Sequence, residues 1–137
     1  MKKGIHLACL IDDDPVYVNL IKKIIRKRGL CDELIVFSNG QIALDYFRNR
    51  FAEAKADLIP ELIFLDINMP IMDGWDFLEN FIEIKNTFGK KIVLYVVSSS
   101  INPVDLERAK SYELVSDYLI KPITFSELEN IFRRNSA

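Results

Sequence analysis

The segment LIFLDINMPIMDGWDFL, residues 62–78, shows the local pattern from which the fold can be predicted. It begins with Leu62–Leu65, and a continuous apolar run of this length is typical of a strand buried on both faces of a sheet. Asp66 ends the run, and the loop Ile67–Gly74 then leads into a helical pattern of apolar residues. The segment therefore predicts a strand, a loop and a helix, with a carboxylate at the end of the strand.

The same alternation of an apolar run and a helical pattern occurs five times along the 137 residues. Five such units, with strands buried on both sides, predict a parallel sheet covered by helices on both faces, a three-layer α/β sandwich. The strand order that we expect is 2-1-3-4-5, the flavodoxin-like (βα)5 arrangement. The other four predicted strands are Ile5–Ile11, Glu33–Phe37, Ile92–Val97 and Val115–Ile120.

Capping signals mark the predicted helices. An N-cap residue followed by proline begins two of them, and a capping box begins the last. These signals are Asp14-Pro15, Asn102-Pro103 and the pair Thr124 and Glu127.

The first helix is predicted to run from Pro15 to the stop at Gly29. Its spacing predicts that one face, which carries Val16, Leu20, Ile24 and also Ile21, packs on the core. A group of basic residues is expected on its solvated face: Lys22, Lys23, Arg26 and Lys27.

Composition and charge exclude several classes of protein. Half of the residues are apolar and the net charge is −2, so the chain is neither disordered nor a general binder of polyanions. Two cysteines are too few for a disulfide scaffold; we expect Cys9 in the first strand and Cys31 in a turn. The longest apolar stretch, Ile92–Val97, is too short to span a membrane. We expect a reduced, cytoplasmic chain that forms a single domain over residues 1–137, without an output domain.

Polar side chains follow four of the predicted strands. Asp12 and Asp13 follow the first strand, Asp66 the third, Ser98 the fourth and Lys121 the fifth. Because ligands of an open parallel sheet bind beyond the carboxyl ends of its strands, these residues are expected to share one edge. A lone strand-end Asp is usually a turn or cap residue, so the conjunction carries the functional interpretation.

Oxygen ligands without a nearby histidine are typical of a site for a hard cation, Mg²⁺ or Mn²⁺. A carboxylate beside such a cation, a lysine and a hydroxyl has the surroundings that a phosphoryl acceptor needs. An aspartate at this edge of the sheet can therefore serve as a phosphoryl acceptor.

Four motifs resemble the response-regulator receiver domain of two-component signalling, in the same order and over essentially the whole chain. They are LIDDDP, LIFLDINMPIMDGWDFL, VVSSS and DYLIKP. The pattern LD-x-x-MP-x-MDG is highly specific, whereas the acidic pair and Lys-Pro alone are not. Ile71 departs from the pattern at a position where glycine is frequent, and Ser98 and Ser99 replace the commoner threonine and alanine. The segment Glu53–Leu58 resembles an extended connection before the third strand.

The resemblance implies a stand-alone, chemotaxis-regulator-like switch that is not an enzyme and accepts phosphate from a histidine kinase or phosphotransfer protein. The switched face, made by the fourth helix, fifth strand and fifth helix, would select a downstream protein, as a monomer or a phosphorylation-dependent dimer. The Lys121–Pro122 bond is expected to be cis. The resemblance implies that Asp66 is the phosphoacceptor. Mg²⁺ would be bound by Asp13, Asp66 and the Asn68 carbonyl, and by Asp12 mainly through water. Lys121 and Ser98 would contact the phosphate, and the Tyr118 side chain would move inward.

Two alternatives stay open at this point. A phosphatase of the haloacid-dehalogenase type would carry Asp-x-Asp after its first strand, whereas the candidate here follows the third strand and reads Asp66-Ile67-Asn68. A receiver-like fold that binds partners without phosphorylation would not need the full set of acids with Ser98 and Lys121.

Overall fold

The structure, a computed structural model, describes residues 4–53, 56–85 and 91–136. Strands and helices alternate along these ranges. The strands are β1 (Ile5–Ile11), β2 (Cys31–Phe37), β3 (Leu62–Leu65), β4 (Val93–Ser98) and β5 (Val115–Ile120). The helices are α1 (Pro15–Arg28), α2 (Gly40–Glu53), α3 (Gly74–Lys85), α4 (Pro103–Lys110) and α5 (Phe125–Arg134), and a short 3-10 helix covers Ala56–Leu58.

The five strands form one parallel sheet in the order β2-β1-β3-β4-β5, which confirms the predicted topology. In this sheet Ile11, the last residue of β1, lies opposite Leu65, the last residue of β3. The two strands therefore end at the same level, and the residues that follow them leave the sheet side by side.

Successive side chains of each strand point to opposite faces of the sheet, so the strands contribute to two separate hydrophobic cores. Cys9, Ile11 and Leu65 point toward α2 and α3, where Phe47 and Phe81 pack with ring centroids 4.8 Å apart. Ala8, Leu10 and Phe64 point to the opposite face, which α1 and α5 cover. Among the described residues, no helix is long and apolar enough to cross a membrane.

The predicted core face of α1 was wrong in part. Val16 and Leu20 are 78% and 46% exposed, whereas Ile21 and Ile24 are buried as predicted. Positions four residues apart advance by about 40° beyond a full turn, so the set 16, 20 and 24 drifts around the helix. The buried stripe is instead Tyr17, Val18, Ile21, Ile24 and Ile25.

Other boundaries shifted by one or two residues. Cys31, predicted in a turn, is the first residue of β2 and lies opposite Ile5. The fourth strand is Val93–Ser98, one residue later at each end than the predicted Ile92–Val97. Pairing with β1 extends β2 beyond its apolar run. The predicted extended connection Glu53–Leu58 includes residues 54 and 55, which lie outside the described residues.

The predicted caps are confirmed. The side chains of Asp14 and Asn102 accept from backbone N–H groups of α1 and α4, and Thr124 and Glu127 form the capping box of α5. Asp14 therefore has a structural role at the start of α1. The Lys121–Pro122 bond is cis, as the resemblance implied.

Ile71 adopts a left-handed backbone conformation, with φ of 67°, and its side chain is 83% exposed. This conformation costs a β-branched residue about 1–2 kcal/mol, whereas little burial would be lost on its removal. We expect Ile71→Gly to raise the free energy of unfolding by about 0.5–1 kcal/mol, after the entropy of a more flexible unfolded chain is subtracted. Urea denaturation measures the change. Ile101→Gly is the control at an exposed isoleucine without positive φ, and an equal loss of stability in both variants would contradict this interpretation.

Candidate functional site

The polar residues of the site are fixed by the ends of the sheet. Backbone N–H groups just beyond three strands continue the pairing with the neighbouring strand. Asp12 donates to the Phe37 carbonyl, Asp66 to the Ile11 carbonyl and Lys121 to the Ser98 carbonyl, each at 2.9 Å. Since their backbones are held by the sheet, these residues project from defined positions at its carboxyl edge.

The structure brings three of the predicted carboxylates together. Oxygens of Asp12, Asp13 and Asp66 lie within 4.8 Å of one another. Asp12 and Asp66 are buried, and Asp13 is exposed. Lys121 Nζ lies 2.7 Å from Asp12 Oδ2 and 3.9 Å from Asp66 Oδ2. Three carboxylates thus face one ammonium group, and the ionised cluster carries an excess of negative charge.

Burial raises the pKa of Asp66 to about 6, and the charge of Asp12 adds to this shift. The Lys121 ammonium and the Asn68 N–H, which donates to Asp66 Oδ1 at 3.3 Å, lower the pKa but do not cancel the rise. Without an added cation, the ionised Asp66 is therefore held at an energetic cost.

This cost predicts a pH-dependent effect of Asp66→Asn in metal-free protein. The folded state holds the Asp66 proton up to about pH 6, whereas an unfolded aspartate loses it near pH 4. The contribution of Asp66 to stability is therefore full below about pH 4 and is lost as the pH rises through about 6. We expect Asp66→Asn to exceed the wild type in free energy of unfolding by about 1–3 kcal/mol at pH 8 in EDTA, and to match it near pH 4. Urea denaturation across this range measures the difference, and a difference independent of pH would contradict the assignment.

Ser98 and Tyr118 are joined through Ser100. The N–H of Ser100 donates to the Ser98 hydroxyl at 3.1 Å, and the Tyr118 hydroxyl donates to the Ser100 carbonyl at 2.8 Å. The Ser100 hydroxyl in turn donates to Asp105 in the first turn of α4, at 2.7 Å. The loop between β4 and α4 therefore links the site to α4.

Gly74 explains why the motif ends in glycine. A Cβ atom at Gly74 would lie 2.5 Å from the carbonyl oxygen of Asp66 and 2.7 Å from Cα of Ile67. Both are backbone atoms, which cannot move aside as a side chain would. The start of α3 thus packs directly against the backbone of Asp66.

Tyr17 is a residue of the site that the sequence analysis missed. Lys121 Nζ lies 4.4 Å from the centre of its ring, and the side chain is 9% exposed. Burial, then the charges of Asp12 and Asp66, raise the pKa of Tyr17 above its usual value, so the hydroxyl stays neutral. The available signal was an aromatic residue in the first turn of the helix that follows the acidic pair.

The fold and the strand-end residues define a doubly wound α/β domain with an acidic site at the carboxyl edge of its sheet, and comparison with known proteins identifies its family. The sequence model of the response regulator receiver domain matches residues 8–133. The chain therefore belongs to the response regulator receiver domain family, which confirms the resemblance noted in the sequence.

Individual relatives agree with this family. The probable methanogenesis regulatory protein FilR2 of Methanothrix harundinacea (strain 6Ac) is 30% identical over 124 residues, which are 90% of this chain and 76% of that protein. The crystal structure of a two-component response regulator from Cytophaga hutchinsonii has a TM-score of 0.80 at 28% identity, covering 97% of this chain and 98% of that one. The phosphorylated cyanobacterial phytochrome response regulator RcpA has a TM-score of 0.73 at 26% identity, covering 94% and 89% of the two chains. Two other curated relatives are much longer, and the chain spans only 19% and 15% of their lengths.

Proposed function

We propose that Asp66 is the phosphoacceptor of this receiver domain. The observation that carries the proposal is the placement of its buried carboxylate between the carboxylates of Asp12 and Asp13 and the ammonium of Lys121. The Lys121 ammonium is a fixed positive charge beside Asp66, where it can offset the negative charge on the oxygens of a transferred phosphoryl group. RcpA, at 26% identity, is a phosphorylated protein with the same fold, which supports the proposal.

The phosphoryl donor is proposed to be a phosphohistidine of a histidine kinase or phosphotransfer protein. An Asp66 carboxylate oxygen attacks the phosphorus atom, an O–P bond forms and the P–N bond breaks. The electron pair of the broken bond stays on the imidazole nitrogen of the donor. The product on Asp66 is an acyl phosphate, whose added charge Lys121 offsets.

The residues present fit a hard divalent cation, and Mg²⁺ is the cation that we assign, with Mn²⁺ as a substitute. The protein ligands are oxygen atoms, and the cluster has excess negative charge because three carboxylates face the single ammonium of Lys121. Asp13, Asp66 and the Asn68 carbonyl would hold the ion, with Asp12 helping through water. Bound there, Mg²⁺ would supply positive charge to the oxygens of the phosphoryl group.

Phosphorylation is proposed to change the protein's partners in the cytoplasm. Ser98 would hydrogen-bond the phosphoryl group, and the contact through Ser100 would pass this change to Tyr118 and α4. The face formed by α4, β5 and α5 is the proposed partner surface, and it exposes Val104, Ile120 and Phe125. The output would thus be an altered protein–protein interaction rather than turnover of a substrate.

The test is phosphorylation of the full chain by acetyl phosphate. We expect the intact mass to increase by one phosphoryl group in the presence of Mg²⁺ and to stay unchanged in EDTA. Hydroxylamine attacks the carbonyl carbon of an acyl phosphate and displaces phosphate, whereas a phosphoserine resists it. Treatment with hydroxylamine should therefore remove the added phosphoryl mass and leave the smaller increase of an aspartyl hydroxamate. Since small donors do not label every receiver, a purified histidine kinase provides the second donor. No modification by either donor, or a hydroxylamine-resistant product, would overturn the proposal.

A further inference from the structure

Tyr17 occupies the side of Lys121 that the acids leave open. The ammonium lies 2.7 Å from Asp12, 3.9 Å from Asp66 and 4.4 Å from the centre of the Tyr17 ring. The lysine side chain is 16% exposed. The ring face therefore replaces water on one side of the cation, where its negative quadrupole attracts the ammonium.

This contact matters because lysine is a flexible point charge. Its four-carbon stem has several rotamers of similar energy, and its ammonium is strongly hydrated in water. The sheet fixes the backbone of Lys121 through Ser98, whereas the rotational freedom of the side chain is limited only by the groups that its ammonium contacts. Contact with the ring restricts that freedom and keeps the ammonium beside Asp66.

We propose that Tyr17 is a positioning residue, which acts through its aromatic ring to hold the Lys121 ammonium against Asp12 and Asp66. The proposal rests on the proposed function, in which Lys121 stabilises the transferring phosphoryl group. The first turn of α1 would thus raise the phosphorylation rate through Lys121, whereas the acidic residues just before this turn would act through the metal. The hydroxyl is not needed for this role, whereas a flat ring is.

Two substitutions separate the ring from the hydroxyl. Tyr17→Phe keeps the ring, and we expect its initial rate of phosphorylation by acetyl phosphate to stay within about twofold of the wild-type rate. Tyr17→Leu keeps an apolar side chain without a ring, and we expect its rate to fall about fivefold. Tyr95→Leu is the matched control. Tyr95 is a buried tyrosine of the same core that stacks on Phe64, so its loss should lower stability and leave the rate unchanged.

A double-mutant cycle tests whether Tyr17 acts through Lys121. In a Lys121→Met background, Tyr17→Leu should cause no further loss of rate. An additional fivefold loss in that background, an unchanged rate in Tyr17→Leu, or an equal loss in Tyr17→Phe would each overturn the proposal.

Nuclear magnetic resonance tests the contact without phosphorylation. The ring current of Tyr17 should shift the ε-methylene proton resonances of Lys121 upfield in the wild type and Tyr17→Phe, but not in Tyr17→Leu. Absence of this shift would refute the contact even if Asp66 is phosphorylated. If the shift is present and the wild type takes up no phosphoryl group, the contact is upheld, but the proposed function and the positioning role both fail.

Discussion

Asp66→Asn is expected to take up no phosphoryl group under conditions that phosphorylate the wild-type protein. The carboxamide that replaces the carboxylate is neutral and cannot form an acyl phosphate by donating a carboxylate oxygen. The neighbouring acids do not offer an equivalent nucleophile, since Asp12 is paired with Lys121 and Asp13 is exposed. Intact-mass measurement after incubation with acetyl phosphate and Mg²⁺ gives the result directly.

Asp73→Asn is the matched control for this prediction. Asp73 belongs to the same loop after β3, and its side chain accepts from the Asp76 N–H near the start of α3. Asparagine keeps that acceptor, so the variant removes a carboxylate while preserving the local structure. We expect Asp73→Asn to be phosphorylated like the wild type. Equal modification of Asp66→Asn, or loss of modification in Asp73→Asn alone, would place the phosphoacceptor elsewhere.

The strand bounds show which parts of the fold the sequence could predict. Three strands have the same bounds as the apolar, β-branched runs from which they were predicted: Ile5–Ile11, Leu62–Leu65 and Val115–Ile120. The helix caps likewise follow local chemistry. The core face of α1 could not be predicted in the same way. Apolar residues at 16, 17, 18, 20, 21, 24 and 25 cover more than half of the helix circumference, so periodicity alone leaves its rotation undetermined.

The site shows the same distinction. The acids and Lys121 were predictable as one cluster because parallel strands that end at one level place the following residues at one edge. Tyr17 and Ser100 were not, because their contacts depend on side-chain direction and loop conformation between elements far apart in sequence. Tyr17 reaches Lys121, and the Ser100 carbonyl receives the hydroxyl of Tyr118, 18 positions along the chain. The aromatic residue in the first turn of α1 marks Tyr17 only as a neighbour of the acidic pair, and no local pattern gives its partner Lys121 or the contact between Tyr118 and Ser100.

Lys121→Met is expected to lower the initial rate of Asp66 phosphorylation by about a hundredfold. A preorganised cation that faces the transferring group is worth about this much when water is excluded, and methionine keeps the apolar stem without the charge. Removal of the ammonium also leaves three carboxylates without their fixed cation, so the affinity for Mg²⁺ should increase about tenfold. The phosphorylation rate and the Mg²⁺ affinity should thus change in opposite directions.

The opposite signs separate a direct role of Lys121 from an effect through the metal. Acetyl phosphate kinetics at saturating Mg²⁺ give the rate, and isothermal titration calorimetry gives the Mg²⁺ affinity. Lys110→Met, at an exposed lysine of α4, is the control and should leave both quantities unchanged. Lys121→Arg keeps the charge in a planar group of different reach and should recover part of the rate at most. If Lys121→Met lost Mg²⁺ affinity in proportion to its rate, the lysine would support the metal site rather than the phosphoryl group.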